Sequence, residues 1–202
     1  MAHDSAELGM AILILGLVIF LGLHSTRIVS ERGREKAIAR FGEGPWKGIY
    51  SALSAIGFVL IVWGFARARH AAPQLWTPPP WGRHVAMLVM LLALISLASY
   101  LFKRSQITAW VHHPMLWAVA LWSAAHLLAN GSAADLVLFG AFLVWSIADL
   151  VSSYARDRRD GLVYPKPQLP ATAGAVAAGL IAYGVLLGGL HVWLFGVSPL
   201  AG

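Results

Sequence analysis

Cysteine is absent from this chain of 202 residues, and charged residues are scarce. Without cysteine the protein has no disulfide, no Cys-ligated zinc, no iron–sulfur cluster and no covalently attached c-type haem. Asp, Glu, Lys and Arg make up 12% of the chain, about half of the roughly 25% that is typical of soluble domains. Too few polar side chains remain to cover a soluble globule of this size. These shortages exclude a disordered chain, a soluble nucleic-acid-binding domain and an ordinary cytosolic enzyme.

Hydrophobic residues make up 58% of the chain, and the mean hydropathy is +0.69. They gather in six stretches, each near the ~20 residues that a helix needs to cross ~30 Å of hydrocarbon. Backbone polar groups in lipid must be satisfied within their own segment, which favours helices. We therefore predict an all-α, polytopic membrane bundle of about six transmembrane helices, forming one integral-membrane domain over residues 1–202. The stretches are Leu8–Val29, Gly48–Ala66, His84–Phe102, Pro114–Ala129, Ala134–Tyr154 and Ala171–Phe195.

The distribution of positive charge predicts the orientation. Twelve of the 15 Lys and Arg residues follow stretches one, three and five, and only Arg67, Arg69 and Arg83 lie on the opposite side. Because Lys and Arg are enriched in cytoplasmic loops, we place both termini on the periplasmic side of a bacterial inner (cytoplasmic) membrane. The net charge of +6 therefore reflects topology and predicts no nucleic-acid partner. The partner that the composition implies is the lipid bilayer.

Local signals mark how two of the stretches end and begin. Asn130-Gly131 is expected to close the fourth stretch, with the glycine in a left-handed C-cap conformation. Ser132 and Asp135 have the spacing of a capping box that opens the fifth stretch, so these two stretches are predicted to form a tight helical hairpin. In the sixth, Gly184-x-x-x-Gly188 has the spacing that lets one helix pack closely on a neighbour.

Histidine is the metal ligand that this chain has in quantity, with eight copies. An ionisable side chain inside a membrane span is costly and is a functional candidate by default. That criterion selects His24, His126, His191 and Asp149, and leaves the pair His112-His113 at the start of the fourth stretch, before Pro114.

Helix geometry limits which of these histidines can share one metal ion. His113 and His126 are thirteen residues apart, about 20 Å along a straight helix and roughly 140° around it. They cannot be opposite ligands of one iron unless the helix breaks at Pro114. His24, on the first stretch, remains available to pair with either of them across the bundle. Neutral imidazoles from facing helices are a standard means of holding a haem iron in a helical bundle.

Two segments carry a family resemblance. The first runs from Leu21 to Arg27 and contains His24-Ser25; the second runs from Trp110 to Gly131 and contains His112-His113-Pro114 and His126. In these motifs, in the number of stretches and in the short hairpin, the chain resembles the NnrU family of bacterial membrane proteins. That family is associated with nitrite and nitric oxide metabolism in denitrifiers.

NnrU proteins are related to zeta-carotene isomerase, a membrane enzyme with haem b that isomerises a cis double bond when its iron is reduced. The resemblance therefore implies non-covalent haem b with His24 and His126 as axial iron ligands, and His113 as a further functional histidine at the cofactor. It also implies a redox-gated, isomerase-like activity on a hydrophobic or gaseous small molecule. His112 stands where the family typically has arginine, and Ser132 stands where an acidic residue often follows Asn-Gly, so the role of that arginine is in doubt here.

Two alternatives stay open at this point. The nominal depths of His24 and His126 differ by about 14 Å at 1.5 Å per residue, so His24 with His113 is the better match in depth, and His191 is a third choice for the second ligand. The chain is alternatively a non-enzymatic assembly or accessory factor for a nitrite or nitric oxide reductase among the denitrification enzymes. Its docking surface would then be the basic segment Ser30–Lys47, which is equally well a solvated loop or an interfacial helix on anionic lipid.

Overall fold

A computed structural model describes the backbone of residues 2–200 and the side chains of residues 7–200. All regular elements within that range are helices, which confirms the all-α prediction. In chain order they are α1 (Ala2–His24), α2 (Thr26–Val29), α3 (Glu31–Phe41), α4 (Glu43–Ala68), α5 (Gly82–Ser99), α6 (Gln106–Val111), α7 (Pro114–Ala129), α8 (Ala133–Asp160), α9 (Leu169–Val185) and α10 (His191–Phe195), with a π-helical turn at Leu186–Leu190.

Among the described residues, five helical segments are long and apolar enough to cross a membrane: Glu7–His24, Glu43–Ala68, Gly82–Ser99, Ala133–Asp160 and Leu169–Phe195. The fourth predicted stretch is the helix α7, which has 16 residues and covers about 24 Å at 1.5 Å per residue. That length falls short of the ~30 Å of hydrocarbon in a bilayer. The multi-pass character is therefore supported with five spans, while the sixth span and the side of the termini stay predictions.

The first stretch ends earlier as a helix than its apolar length suggests. The helix α1 stops at His24, and α2 follows after Ser25. The Ser25 hydroxyl donates to the Leu21 carbonyl at 2.6 Å and the Thr26 hydroxyl to the Leu23 carbonyl at 2.9 Å. Hydroxyl groups that bond back to helix carbonyls tend to bend the helix. This bend leaves His24 in the last turn of α1.

The chain divides into two compact units. Unit 1 comprises Met1–Thr77 and Gly131–Asp149, and unit 2 comprises Pro78–Asn130 and Leu150–Gly202. The single domain predicted over residues 1–202 stays a prediction.

In unit 1, α1 and α4 pack backbone against backbone. A Cβ atom on Gly16 would lie 2.6 Å from the Ile61 nitrogen, and one on Gly64 would meet the backbone of Leu13. Two more glycines, each seven residues earlier on its helix, make equally close contacts. A Cβ on Gly9 would lie 2.8 Å from the Ala68 nitrogen, and one on Gly57 would lie 2.9 Å from the Phe20 nitrogen. Only glycine allows helices to come this close, as at small-residue interfaces in membranes.

Unit 1 also contains the start of α8, where one local prediction is confirmed and another is wrong. The Asp135 backbone N–H donates to the Ser132 hydroxyl at 3.2 Å and the Ser132 N–H to the Asp135 carboxylate at 3.0 Å, so the capping box is confirmed. Gly131 does not have the predicted left-handed φ. A Cβ there would collide with the Trp76 carbonyl, so the glycine serves a close approach between two backbone segments.

In unit 2, α5 packs against both α7 and α9. The buried Ser96 hydroxyl of α5 donates to the Pro114 carbonyl of α7 at 2.7 Å. On the other side, a Cβ on Gly179 would lie 2.6 Å from the Ile95 Cα. The close contact predicted at Gly184 and Gly188 is wrong for the described residues, since no atom of theirs lies within 4 Å of a Cβ at either position.

Candidate haem-ligand histidines

His24 stands in the last turn of α1, within unit 1. Its Nδ1 lies 2.7 Å from the carbonyl oxygen of Phe20, one turn earlier. A carbonyl only accepts hydrogen bonds, so the imidazole proton is on Nδ1 and the lone pair of the neutral ring is on Nε2. This is the tautomer in which a metal-ligating histidine is commonly held by a backbone carbonyl.

Aromatic rings surround the His24 imidazole inside unit 1. Phe20 is stacked on it at 4.2 Å between ring centroids, Tyr50 of α4 lies at 5.4 Å, and Trp145 of α8 meets it edge-on at 6.1 Å. Phe142 extends this wall through its contact with Phe20 at 6.0 Å. The rings leave the imidazole partly buried and provide flat surfaces that suit a planar aromatic ligand.

Two buried polar atoms of unit 1 have no hydrogen-bond partner within the described chain: the Trp145 indole Nε1 and the Ser54 hydroxyl. The Trp145 ring contacts His24 directly. Ser54 lies one turn after Tyr50 on α4, which places the two on the same face of that helix. Buried donors left unbonded cost free energy and are rare in native proteins. A polar ligand group beside His24 would satisfy them.

His126 in unit 2 has the same arrangement on a different helix. It stands in the last turn of α7, and its Nδ1 lies 2.8 Å from the carbonyl oxygen of Trp122, again four residues earlier. The proton is therefore on Nδ1 and the lone pair on Nε2. One turn before His126, the hydroxyl of Ser123 is fully buried and is the third polar atom with no partner among the described side chains.

His113 is hydrogen-bonded through Nε2, whereas His24 and His126 are hydrogen-bonded through Nδ1. It caps the start of α7, and its Nε2 lies 2.7 Å from the Asp157 carboxylate near the end of α8, inside unit 2. The Tyr164 hydroxyl donates to the same oxygen at 2.7 Å. Burial and this hydrogen bond to Asp157 raise the pKa of the Tyr164 phenol. His113 therefore presents Nδ1, and not the Nε2 that haem iron ordinarily takes.

His191, the third choice for a second ligand, opens α10 after the π-helical turn. Its Nδ1 donates to the Val197 carbonyl at 2.7 Å, and its ring contacts Phe195 at 4.9 Å. Gly189, two residues before it, has a φ of +134°. The imidazole is thus held by residues of the same terminal segment.

His113 and His126 stand near opposite ends of the same helix, α7. Within unit 2, α7 runs unbroken from Pro114 to Ala129, so about 18 Å of helix separates His113 from His126 at 1.5 Å per residue. Among the described side chains, no three His, Asp or Glu residues come together as a metal site. A haem iron needs only two protein ligands, so this result leaves the prediction for His24 and His126 as it was.

The sequence did not predict several residues that surround the candidate histidines. Trp145 and Ser123 look like ordinary apolar-helix residues, and Asp157 lies in an arginine-rich run that resembles a solvated helix end. The only available signal was spacing, since Ser123 precedes His126 by one helical turn. The contacts of Trp145 and Asp157 join residues far apart in the chain and leave no local trace.

A family model described as NnrU protein matches residues 12–199, nearly the whole chain. A search of curated proteins and a search of solved structures gave no match.

Proposed function

The chain belongs to the NnrU family, and on that premise we propose that it is a membrane protein that binds haem b, with His24 and His126 as the iron ligands. The proposal extends to its role: redox-gated, isomerase-like chemistry on a hydrophobic or gaseous molecule, linked to nitrite and nitric oxide metabolism in a bacterial inner membrane.

One observation carries the haem proposal. His24 and His126 each bond through Nδ1 to the carbonyl four residues earlier, at 2.7 and 2.8 Å. Each ring is therefore oriented and its tautomer fixed, with Nε2 as the ligating atom. His113 differs, because its Nε2 is engaged by a carboxylate. The engaged Nε2 argues against His113 as the partner of His24, although His113 matched better in nominal depth.

The residues around His24 fit a haem-like group. The rings of Phe20, Tyr50 and Trp145 pack against the imidazole, and the buried Trp145 Nε1 and Ser54 hydroxyl supply hydrogen bonds that the described chain does not use. When bound, haem supplies a redox-active iron, whose potential depends on axial ligands, burial and hydrogen bonds. The chain's own part is to hold and orient the two imidazoles.

Absorbance spectra of the purified protein, oxidised and reduced, test this proposal. We expect a sharp Soret band and resolved α and β bands after haem is supplied, as two strong axial ligands give. His24→Ala and His126→Ala should each lose the six-coordinate spectrum, while His113→Ala retains it. His84→Ala is the matched control, since His84 is an exposed histidine of unit 2. A protein that stays spectrally silent after haem addition would refute the proposal.

An accessory role for a nitrite or nitric oxide reductase is the second candidate, and one observation favours it. None of the residues of α3 is buried, and Arg32, Lys36 and Arg40 follow one another at helical spacing on one exposed face. Such a stripe suits an acidic protein surface. Replacing the three by glutamine should abolish co-purification with a reductase while leaving any haem spectrum unchanged. Unchanged co-purification would remove this candidate.

A further inference from the structure

The two residues before α7 form a strained turn. His112 has φ +54° and ψ −45°, and the His113 N–H donates to the carbonyl of Val111, two residues earlier. This is a γ-turn with positive φ, a rare and strained conformation. His112 is the only non-glycine residue with positive φ in the described part of the chain. Strain of this kind persists only where the surrounding structure holds it, and it is frequent at functional sites.

Aromatic residues of unit 2 hold the turn from both sides. The His112 ring is stacked on Tyr164 at 4.0 Å with an interplanar angle of 11°. The Tyr154 hydroxyl donates to the Val111 carbonyl at 2.7 Å and accepts from the Trp117 indole N–H at 2.9 Å. Side chains distant in sequence therefore hold both the Val111 carbonyl and the His112 ring. They also fix the backbone of His113, because its N–H donates to that same carbonyl.

The turn directs the His113 imidazole onto a carboxylate. Asp157 accepts from the His113 Nε2–H and from the Tyr164 hydroxyl, both at 2.7 Å and both on Oδ2. The imidazole proton is therefore on Nε2, and the lone pair of the neutral ring is on Nδ1. No described residue bonds that nitrogen. The His113 side chain is 21% exposed and that of Asp157 16%, so the pair is largely, but not completely, buried.

The Asp157 carboxylate contacts this imidazole directly, with Oδ2 at 2.7 Å from Nε2. His113 occupies the N-cap position of α7. The geometry is that of a His–Asp pair, in which a carboxylate orients the imidazole that transfers a proton.

We propose that His113 is an acid–base residue that takes a proton through Nδ1 from a weak-acid ligand with an O–H group, and that Asp157 and Tyr164 are its positioning residues. In the step, the ligand O–H bond breaks, its electron pair stays on oxygen, and a new N–H bond forms at Nδ1. The products are an oxyanion and an imidazolium paired with the Asp157 carboxylate. No electron is transferred, and the proposal does not depend on haem binding.

Carbethoxylation by diethyl pyrocarbonate measures the reactivity of Nδ1 directly, because only an unprotonated imidazole nitrogen attacks the reagent. Rates at single histidines are read by peptide mass spectrometry of the detergent-solubilised full chain. His113 should react at least as fast as the exposed His84 of the same unit. At about pH 8, where an ordinary imidazole is unprotonated, Asp157→Asn, which keeps the shape and removes the carboxylate that polarises the Nε2–H bond, should slow His113 several-fold and leave His84 unchanged. Tyr164→Phe should slow it less.

A purely structural His113–Asp157 contact makes the opposite prediction. Its loss would uncover the ring, and the rate at His113 in Asp157→Asn would stay the same or rise; either result overturns the proposal. If that variant does not fold, nitrogen-15 NMR of the wild-type imidazole decides. An Nε2–H ring with an unprotonated Nδ1 supports the proposal, whereas a neutral ring protonated on Nδ1 refutes it.

Discussion

In unit 1, α1 and α4 meet at four glycines, whereas in unit 2 the helices are joined by hydrogen bonds from hydroxyl groups. Ser96 of α5 bonds the Pro114 carbonyl, Thr108 of α6 bonds the Ser99 carbonyl at 2.9 Å, and Thr172 of α9 accepts from the Gln106 N–H at 2.9 Å. In lipid there is no hydrophobic force between helices, so close packing and hydrogen bonds must provide the association. The α1–α4 contact of unit 1 uses close packing, whereas unit 2 combines these hydrogen bonds with a close glycine contact at Gly179.

The comparison predicts opposite sensitivities. Unit 1 should respond to added atoms, because its helix backbones have no space between them. Unit 2 should respond to removed polar atoms, because its contacts depend on donors and acceptors. The environments of the histidines follow the same division: rings enclose His24, while a hydrogen-bonded network holds His113.

The largest effect is expected from one methyl group at the glycine contact of unit 1. A Cβ on Gly64 meets the backbone of Leu13, which cannot move aside as a flexible side chain does. Gly64→Ala should therefore cost about 3 kcal/mol of stability, measured as a lower melting temperature in detergent. Gly48→Ala on the same helix is the matched control, because its Cβ has no atom within 4 Å. Equal melting temperatures for the two variants would contradict the proposed contact.

Removal of a hydroxyl should have the next largest effect, in unit 2. Ser96→Ala deletes the buried bond between α5 and the Pro114 carbonyl, at a cost of about 1–2 kcal/mol. Thermal unfolding measures the loss. Ser96→Thr, which retains the donor, is the rescue variant. If alanine and threonine at this position gave the same stability as serine, the bond would not contribute to the association of the helices.

Replacing Ser123 by alanine should increase the stability rather than lower it. Its hydroxyl is fully buried without a partner in the described chain, so Ser123→Ala should stabilise the haem-free protein by about 1 kcal/mol. Loading with haem should reduce that gain if the hydroxyl serves the ligand beside His126. A loss of stability as large as in Ser96→Ala would show that Ser123 has an internal partner.

The elements that sequence predicted correctly have local causes. The Ser132–Asp135 capping box and the start of α7 at Pro114 follow from residues a few positions apart. The end of α1 at His24 was missed, because a count of apolar residues does not register the two hydroxyl bonds to Leu21 and Leu23. Apolar length alone therefore placed the helix end five residues late.

The contacts that define the candidate sites could not be predicted from local sequence patterns. His113 and Asp157 are 44 residues apart in the chain, and His24 meets Trp145 from a different helix. Which partner faces a histidine depends on how helices pack, and a single sequence carries no direct record of that. The histidines themselves were found, because an ionisable group stands out in an apolar segment.

The smallest change in stability is expected from a substitution in the Gly184-x-x-x-Gly188 motif, which the sequence had suggested as a packing site. Gly184-x-x-x-Gly188 resembles a helix-packing motif, yet a Cβ at Gly184 has no described atom within 4 Å, whereas one at Gly179 lies 2.6 Å from the Ile95 Cα. Gly184→Ala should therefore change stability by no more than about 0.5 kcal/mol, and Gly179→Ala should lower the melting temperature clearly. If both variants lost stability equally, the Gly184 face would have to pack against a second molecule, and the sequence motif would be a contact between chains.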